Sequence, residues 1–316
     1  MTSTDLTEIE KRVILHGDFP EVIDNTAREA FTCPEKFKRQ VIQKLAMQGR
    51  SVDLQFGGAF ALGLETMRVA FYQDIKSETE SFALGIEAAT REFGMYEPPL
   101  PHVKTYDRLI LALFDYIGAY PLATDHITPL EMYPGKRAIE FTFAVPIPGS
   151  RHPQTGNPIL YGGRFDMIGL YQRTRWGLDD KTTSQLGKRW NSSWNLSSQL
   201  TGYVWAAEES GIPLAGMIMR GQSILTTGSG FAEAIEYRPP WQLRRWLSQL
   251  QKDVKRMVEC WEKSEYDMNL GPVCNLYSGC PYKRLCLSQN PQPWIDTEYE
   301  NHYWNPLNKN PEEETA

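Results

Sequence analysis

Two stretches, 159–171 and 175–182, read as β-strands, with Gly162-Gly163 near the start of the first and turn residues from Arg173 between them. Bounded by these turn residues, the pair reads as a hairpin. Side chains two apart on a strand share a face, which sets the Asp179 carboxylate beside the Lys181 ammonium and points Asp180 the other way. Pairing across the hairpin brings Asp166 opposite Asp179, so the strand ends concentrate acids and one amine.

Two carboxylates so placed are hard oxygen ligands suited to Mg²⁺ or Mn²⁺. Such an ion polarises a phosphate, activates water and aligns attacking and leaving oxygens, while Lys181 neutralises developing charge. The residues alone leave open an ordinary surface hairpin, whose exposed ion pair is worth about 0–1 kcal/mol. Residues 194–209 follow a helical period through Leu196, Leu200, Tyr203, Val204 and Ala207, with Asn191, Ser192 and Ser193 available as caps. Gln199 and Tyr203, four apart, share a face of this helix, which is expected to pack back over the acids. There Gln199 could bond a phosphate and Tyr203 offer a hydroxyl or a stacking ring to a nucleic-acid strand. A core tyrosine and a solvated glutamine are the plainer alternative.

The order Gly163-x-x-Asp166, Asp179-x-Lys181-Thr182, Gln199-x-x-x-Tyr203 resembles the RecB/AddB-like exonuclease branch of the PD-(D/E)XK nuclease superfamily. The resemblance implies an α/β fold, a mixed central sheet flanked by helices in a restriction-endonuclease-like core. The residue pattern itself, helices first and a cysteine loop last, adds an N-terminal helical lobe and a cysteine-rich C-terminal segment. The resemblance also implies a Mg²⁺- or Mn²⁺-dependent deoxyribonuclease acting on DNA ends or single strands, in recombination, repair or phage DNA processing. Asp166, Asp179 and Lys181, with Gln199 and Tyr203 as the auxiliary motif, become the catalytic set. Asp166, Asp179, Asp180 and Glu140 are the candidate metal-binding residues.

Of five cysteines, Cys274, Cys280 and Cys286 are evenly spaced with five residues between neighbours. In a segment rich in Gly, Pro, Ser and Asn, and with no secretory signal read at the N-terminus, they suggest metal ligation rather than disulfides. The spacing matches neither a zinc ribbon nor a ferredoxin run. Cys33, in FTCPEK, is the best fourth ligand. AddB-like and CRISPR-adaptation relatives hold a 4Fe-4S cluster with one N-terminal and three C-terminal cysteines, and the resemblance extends that expectation to Cys33, Cys274, Cys280 and Cys286. Cys260 reads as a core thiol.

Residues 56–65 resemble the helix where these nucleases usually carry a metal-binding histidine, but the equivalent position is Ala61, or Gly63 in a shifted register. Glu140, on a strand leading to the hairpin, is the first candidate to replace it, and Glu65 the second. The missing histidine also motivates a different reading, a catalytically weak iron-sulfur DNA-binding or partner subunit.

The net charge of −6 looks wrong for a DNA-binding protein until it is localised: residues 291–316 hold six acids against one lysine, leaving −1 for residues 1–290. Basic clusters fall at 242–256, at Lys36, Lys38 and Arg39, and at Lys188 and Arg189, and can neutralise phosphates. With no run of eighteen apolar residues and no Walker-type loop, the chain is expected to be cytoplasmic, in a bacterium or a phage-infected host, with any helicase or recombination partner a separate chain. Four segments are expected: an N-terminal helical region 1–125, a nuclease core 126–238, a helix and cysteine loop 239–290, and an acidic tail 291–316 whose aromatic residues dock its first part. Helices are expected near 34–49, 58–75, 79–93, 104–119, 194–210 and 240–263. Arg220 is expected to line the cleft or to be paired at a strand end.

Overall fold

The strand-like runs do form a hairpin. In the computed structural model, which describes residues 17–49, 51–98, 101–275, 279–302 and 305–307, the elements run β1 (Val22–Ile23), α1 (Asn25–Ala30), α2 (Pro34–Phe37), β2 (Leu45–Met47), α3 (Val52–Arg68), α4 (Glu78–Phe93) and α5 (Tyr106–Ala119). Then follow β3 (Thr128–Pro129), β4 (Glu131–Tyr133), β5 (Lys136–Arg137), β6 (Ile139–Pro146), β7 (Leu160–Tyr171), β8 (Thr174–Thr183), α6 (Lys188–Ser192) and α7 (Ser198–Glu209). The chain continues through β9 (Gly216–Leu225), β10 (Gly228–Tyr237), α8 (Pro240–Lys263), α9 (Lys283–Leu287), α10 (Gln292–Glu298) and β11 (Tyr299–Asn301).

The main sheet runs β1-β7-β8-β9-β10, with β3 and β6 also paired to β7. β7 and β8 are antiparallel, as are β9 and β10, whereas β8 and β9 are parallel and joined through α7. A parallel neighbour needs a crossover, and α7 supplies it. This is the mixed α/β arrangement expected from the sequence.

Contacts group the chain into two units: Met1–Gly49, Phe143–Gly163 and Arg245–Ala316 form one, Arg50–Thr142 and Arg164–Arg244 the other. Both are discontinuous, because the chain passes between them within β6, within β7 and within α8.

In the unit Arg50–Thr142 with Arg164–Arg244, α3, α4 and α5 enclose Phe56, Phe60, Leu64, Met67, Phe93, Leu109 and Leu113. α4 begins with a capping box between Ser77 and Glu80. α3 and α4 cross where Gly63 meets Gly85, and a Cβ on Gly85 would collide with Met67 and the Gly63 carbonyl. Gly63 thus serves helix packing, and Ala61 is exposed. A second core, on the sheet, gathers Ile127, Ile139, Met167, Trp176, Leu178 and Ile218.

In the other unit, the part of α8 belonging to it buries Trp246, Leu250, Val254, Met257 and Trp261, a stripe at helical spacing. The expected helix 34–49 is cut short: α2 passes into a π-helical turn, Lys38–Ile42, and Leu45–Met47 pairs antiparallel with β11 instead. The first part of the tail therefore does dock, through β11 and through Tyr299, which stacks on Tyr282 at 5.9 Å. Tyr303 and Trp304 lie outside the described residues.

Candidate active site

β7 and β8 bring the expected acids together. Their ladder ends at Met167 opposite Leu178, so the next positions along are Asp166 and Asp179. There the Asp166 carboxylate takes the Asp180 backbone N–H at 2.7 Å. Lys181 Nζ lies 2.6 Å from Asp179 Oδ2. The contact is a buried ion pair, and Oδ2 has no other donor among the described residues. Asp179 is only 2% exposed. Glu140 joins the group from β6, its backbone in the left-handed region at φ +50°. That conformation is costly for a non-glycine residue and interrupts the strand's alternation. Its carboxylate meets Arg164 Nε at 2.7 Å.

The electrostatics are those of acids crowded together. Burial, then the charge of Asp179, pushes the Asp166 carboxyl up to about 7. Burial, then Asp166, pushes Glu140 up to about 8. Asp179 is also raised by burial, though Lys181 opposes the shift. Burial works against the Lys181 charge, but Asp179 and Asp166 outweigh it and hold the ammonium above its ordinary pKa. Glu65, on α3, is not among the charges that chiefly shift either acid.

α7 contributes Tyr203 and Gln199. Its N-cap is Ser197 rather than Asn191, Ser192 or Ser193. Gln199 Nε2 donates to the Tyr203 hydroxyl at 3.4 Å. Tyr203 is 8% exposed and its ring packs on Phe165 at 4.9 Å. The sequence leaves that ring free to stack on a nucleic-acid base; the structure buries it against Phe165 of β7. Only the hydroxyl end remains near Asp179 and Lys181, whose charges act on it after burial.

Asp180, the remaining candidate metal-binding side chain, stands apart from Asp166, Asp179 and Glu140. It projects to the opposite face of β8, where Arg68 Nη2 donates at 2.7 Å and the Tyr116 hydroxyl at 2.6 Å. Sequence reasoning missed both partners: they are 112 and 64 residues away, and no local pattern announces them. Arg220 sits on this same face rather than in a cleft. It is 2% exposed. It grips Asp125 through two bonds of 2.7 and 2.6 Å, reaches Glu233 at 2.8 Å, and lies over the Tyr120 ring at 4.0 Å. With both sides of Asp180 locked, Asp179 and Lys181 are aimed at the other face.

The cysteines lie in the unit that holds both chain termini. Asn269 N–H donates to Cys33 Sγ at 3.4 Å, and Cys274 Sγ approaches the Asn269 carbonyl at 3.9 Å. Cys280 N–H donates to the Cys274 carbonyl at 3.1 Å. The Cys286 thiol is raised by burial and then by Glu35, Cys280 and Cys33 around it. All the cysteines are free thiols, and Cys260 is half-buried rather than fully in the core.

The PD-(D/E)XK nuclease superfamily model matches residues 26–287, most of the chain and every residue of this acid group. The chain belongs to the PD-(D/E)XK nuclease superfamily. Its mixed sheet between helices is the restriction-endonuclease-like fold of that superfamily. Solved structures that resemble this PD-(D/E)XK chain include a Eubacterium rectale protein named as a candidate exonuclease. That protein is 10% identical with a TM-score of 0.48, over 94% of this chain and 98% of the other. Another is the protein SSO0001, 12% identical with a TM-score of 0.34, over 90% and 96%. Neither likeness is strong enough to carry function. No curated protein sequence matches the chain.

PD-(D/E)XK nucleases typically use divalent metal ions. Among the described residues, no group of three or more His, Cys, Asp or Glu side chains is arranged around one metal position. At the acid group Glu140 pairs with Arg164 and Asp179 with Lys181, so the protein's own cations answer the charge. The donor set still fits a hard cation, with buried carboxylates that repel one another and an Asp179 oxygen whose one partner is the Lys181 ammonium.

Proposed function

We propose that this PD-(D/E)XK protein is a Mg²⁺- or Mn²⁺-dependent deoxyribonuclease that works as an exonuclease on DNA ends or single strands. The observation that carries the proposal is the convergence of Asp166, Asp179 and Lys181 where β7 and β8 diverge. Asp166 and Asp179 would hold the ion, joined by Glu140 once it leaves Arg164, in place of the histidine that Ala61 lacks. The ion supplies Lewis-acid polarisation of the phosphate and of water. Lys181, held charged by the acids, places a cation beside the phosphate and stabilises the charge that builds on it in the transition state. Gln199 orients the Tyr203 hydroxyl and offers its own amide to a phosphate oxygen.

The test is incubation of labelled linear DNA with purified protein and Mn²⁺. Degradation is expected, and Lys181→Ala and Asp179→Ala should each abolish it while leaving the protein folded. Activity that survives both substitutions refutes the assignment. A role in recombination, repair or phage DNA processing, beside a motor on another chain, follows from the same reading.

The reading includes a 4Fe-4S cluster held by Cys33, Cys274, Cys280 and Cys286. Its support is that Cys33 and Cys280 both lie near enough to act on the Cys286 thiol, while Asn269 bridges Cys33 and Cys274. Bound there, a cluster would tie segments more than 230 residues apart in sequence, a constraint of the kind structural metals provide.

A further inference from the structure

From Lys181 to Ala207 the chain carries no acid, although at its average content a stretch of 27 residues would hold about three. Within that stretch, residues 184–197 connect β8, which carries Lys181 and ends at Thr183, to the helix that carries Gln199. This connection is built rather than loose. Trp190 and Leu186 lie against Gly221, where they leave no room for a Cβ, and Gly221 is the β9 partner of Lys181. Partners in a parallel ladder face the same way, so the Trp190 ring rests on the sheet face of Lys181, one strand over. Trp194 meets Trp190 edge-on at 5.5 Å. Its carbonyl accepts from Arg238 Nη2 at 2.6 Å, and Asn195 donates to Glu236 at 2.8 Å. Arg238 also bonds Thr201 on α7 at 3.0 Å, fixing strap and helix together.

What the strap leaves outside is cationic and polar. Lys188, Arg189, Asn191 and Ser192 are exposed, and neither cation forms an ion pair among the described residues. Two adjacent cations with rings beside them suit one strand of nucleic acid, whose unpaired bases can stack on aromatic faces while its phosphates follow the cations. We propose that residues 184–197 are a binding strap for single-stranded DNA, with Lys188 and Arg189 taking the phosphates next to the one at Lys181. The proposal rests on the nuclease reading for its substrate, and it adds which strand form is held and by which residues.

The test is fluorescence anisotropy with a labelled oligo(dT) of about twenty nucleotides, in Ca²⁺ or EDTA so that binding is read without hydrolysis. The double variant Lys188→Ala/Arg189→Ala should raise Kd about tenfold at 0.15 M salt, and the slope of log K against log salt should become shallower by about 1.4, the value for two single-strand phosphate contacts. The control Lys136→Ala/Lys252→Ala, which removes the same charge from exposed sites elsewhere, should change neither. Circular dichroism melts of both variants should match the wild type, since only exposed side chains are cut. An unchanged Kd and slope, an equal loss in the control, or an equal loss on a blunt duplex of the same length overturns the proposal. Weakened binding in a protein that never cleaves DNA would leave the strap standing and remove the nuclease reading. Cleavage with unaltered binding by the double variant would do the reverse.

Discussion

Asp166→Asn is expected to make the metal-free protein more stable while destroying its activity. In the unfolded chain this carboxyl titrates near 3.8, whereas in the folded protein burial and Asp179 hold it at about 7. Below pH 4 both states are protonated and nothing is lost. Between about 4 and 7 the folded state keeps a proton that the unfolded state has released, so stability falls as pH rises, by about 1.4 kcal/mol per unit. Above 7 the full penalty stands. A three-unit displacement gives about 4 kcal/mol; discounted for the solvent that reaches the carboxyl, about 2–4 kcal/mol is expected. The asparagine is uncharged, and its amide oxygen still accepts the Asp180 N–H. Thermal melts in EDTA should therefore show the variant above wild type at pH 8, by a few degrees per kcal/mol, with the gap narrowing toward pH 5. Mn²⁺ should raise the wild-type Tm more at pH 8 than at pH 5, and should raise that of the variant little. A variant that melts lower than wild type at pH 8, or a gap independent of pH, would refute the electrostatic picture of the site.

Arg68→Met leaves the Asp180 carboxylate buried without its cation, at side-chain exposures of only 5% for both partners. Losing one member of such a pair costs about 3–5 kcal/mol, readable by urea denaturation, and nuclease activity should fall with it because β8 is no longer held from behind. Tyr203→Phe keeps the ring against Phe165 and should cost little stability, whereas Tyr203→Ala should cost about 3–5 kcal/mol; equal small effects in chemical denaturation would mean the ring is not in the core. Anaerobic purification should give a brown protein with iron and sulfide, and Cys33→Ala should lose both and melt lower. Zinc in place of iron, or no metal in either protein, would reject the cluster.

The parts of the fold that could be read from the sequence are those written in local periodicity. The stripe Leu243, Trp246, Leu250, Val254, Met257 and Trp261 marks a helix whose bounds, Pro240–Lys263, the periodicity locates without help. The hairpin likewise followed from alternation and a turn, and with it the meeting of Asp166, Asp179 and Lys181. What stayed hidden depends on partners far along the chain. Leu45–Met47 continues a helical pattern but becomes a strand because β11, some 250 residues on, offers it a ladder. Asp180 reads as a ligand from its spacing alone, because its partners Arg68 and Tyr116 lie far along the chain. The strained backbone of Glu140 leaves no mark in its sequence, and the burial of Tyr203 depends on how α7 lies on the sheet, which periodicity does not state.

Anomalous diffraction from crystals soaked in Mn²⁺ tests the central claim most directly. A peak is expected between the Asp166 and Asp179 carboxylates, with Glu140 turned from Arg164 toward it. No peak there at millimolar Mn²⁺, or one that persists in Asp179→Ala, would contradict the assignment of this acid group as the metal centre.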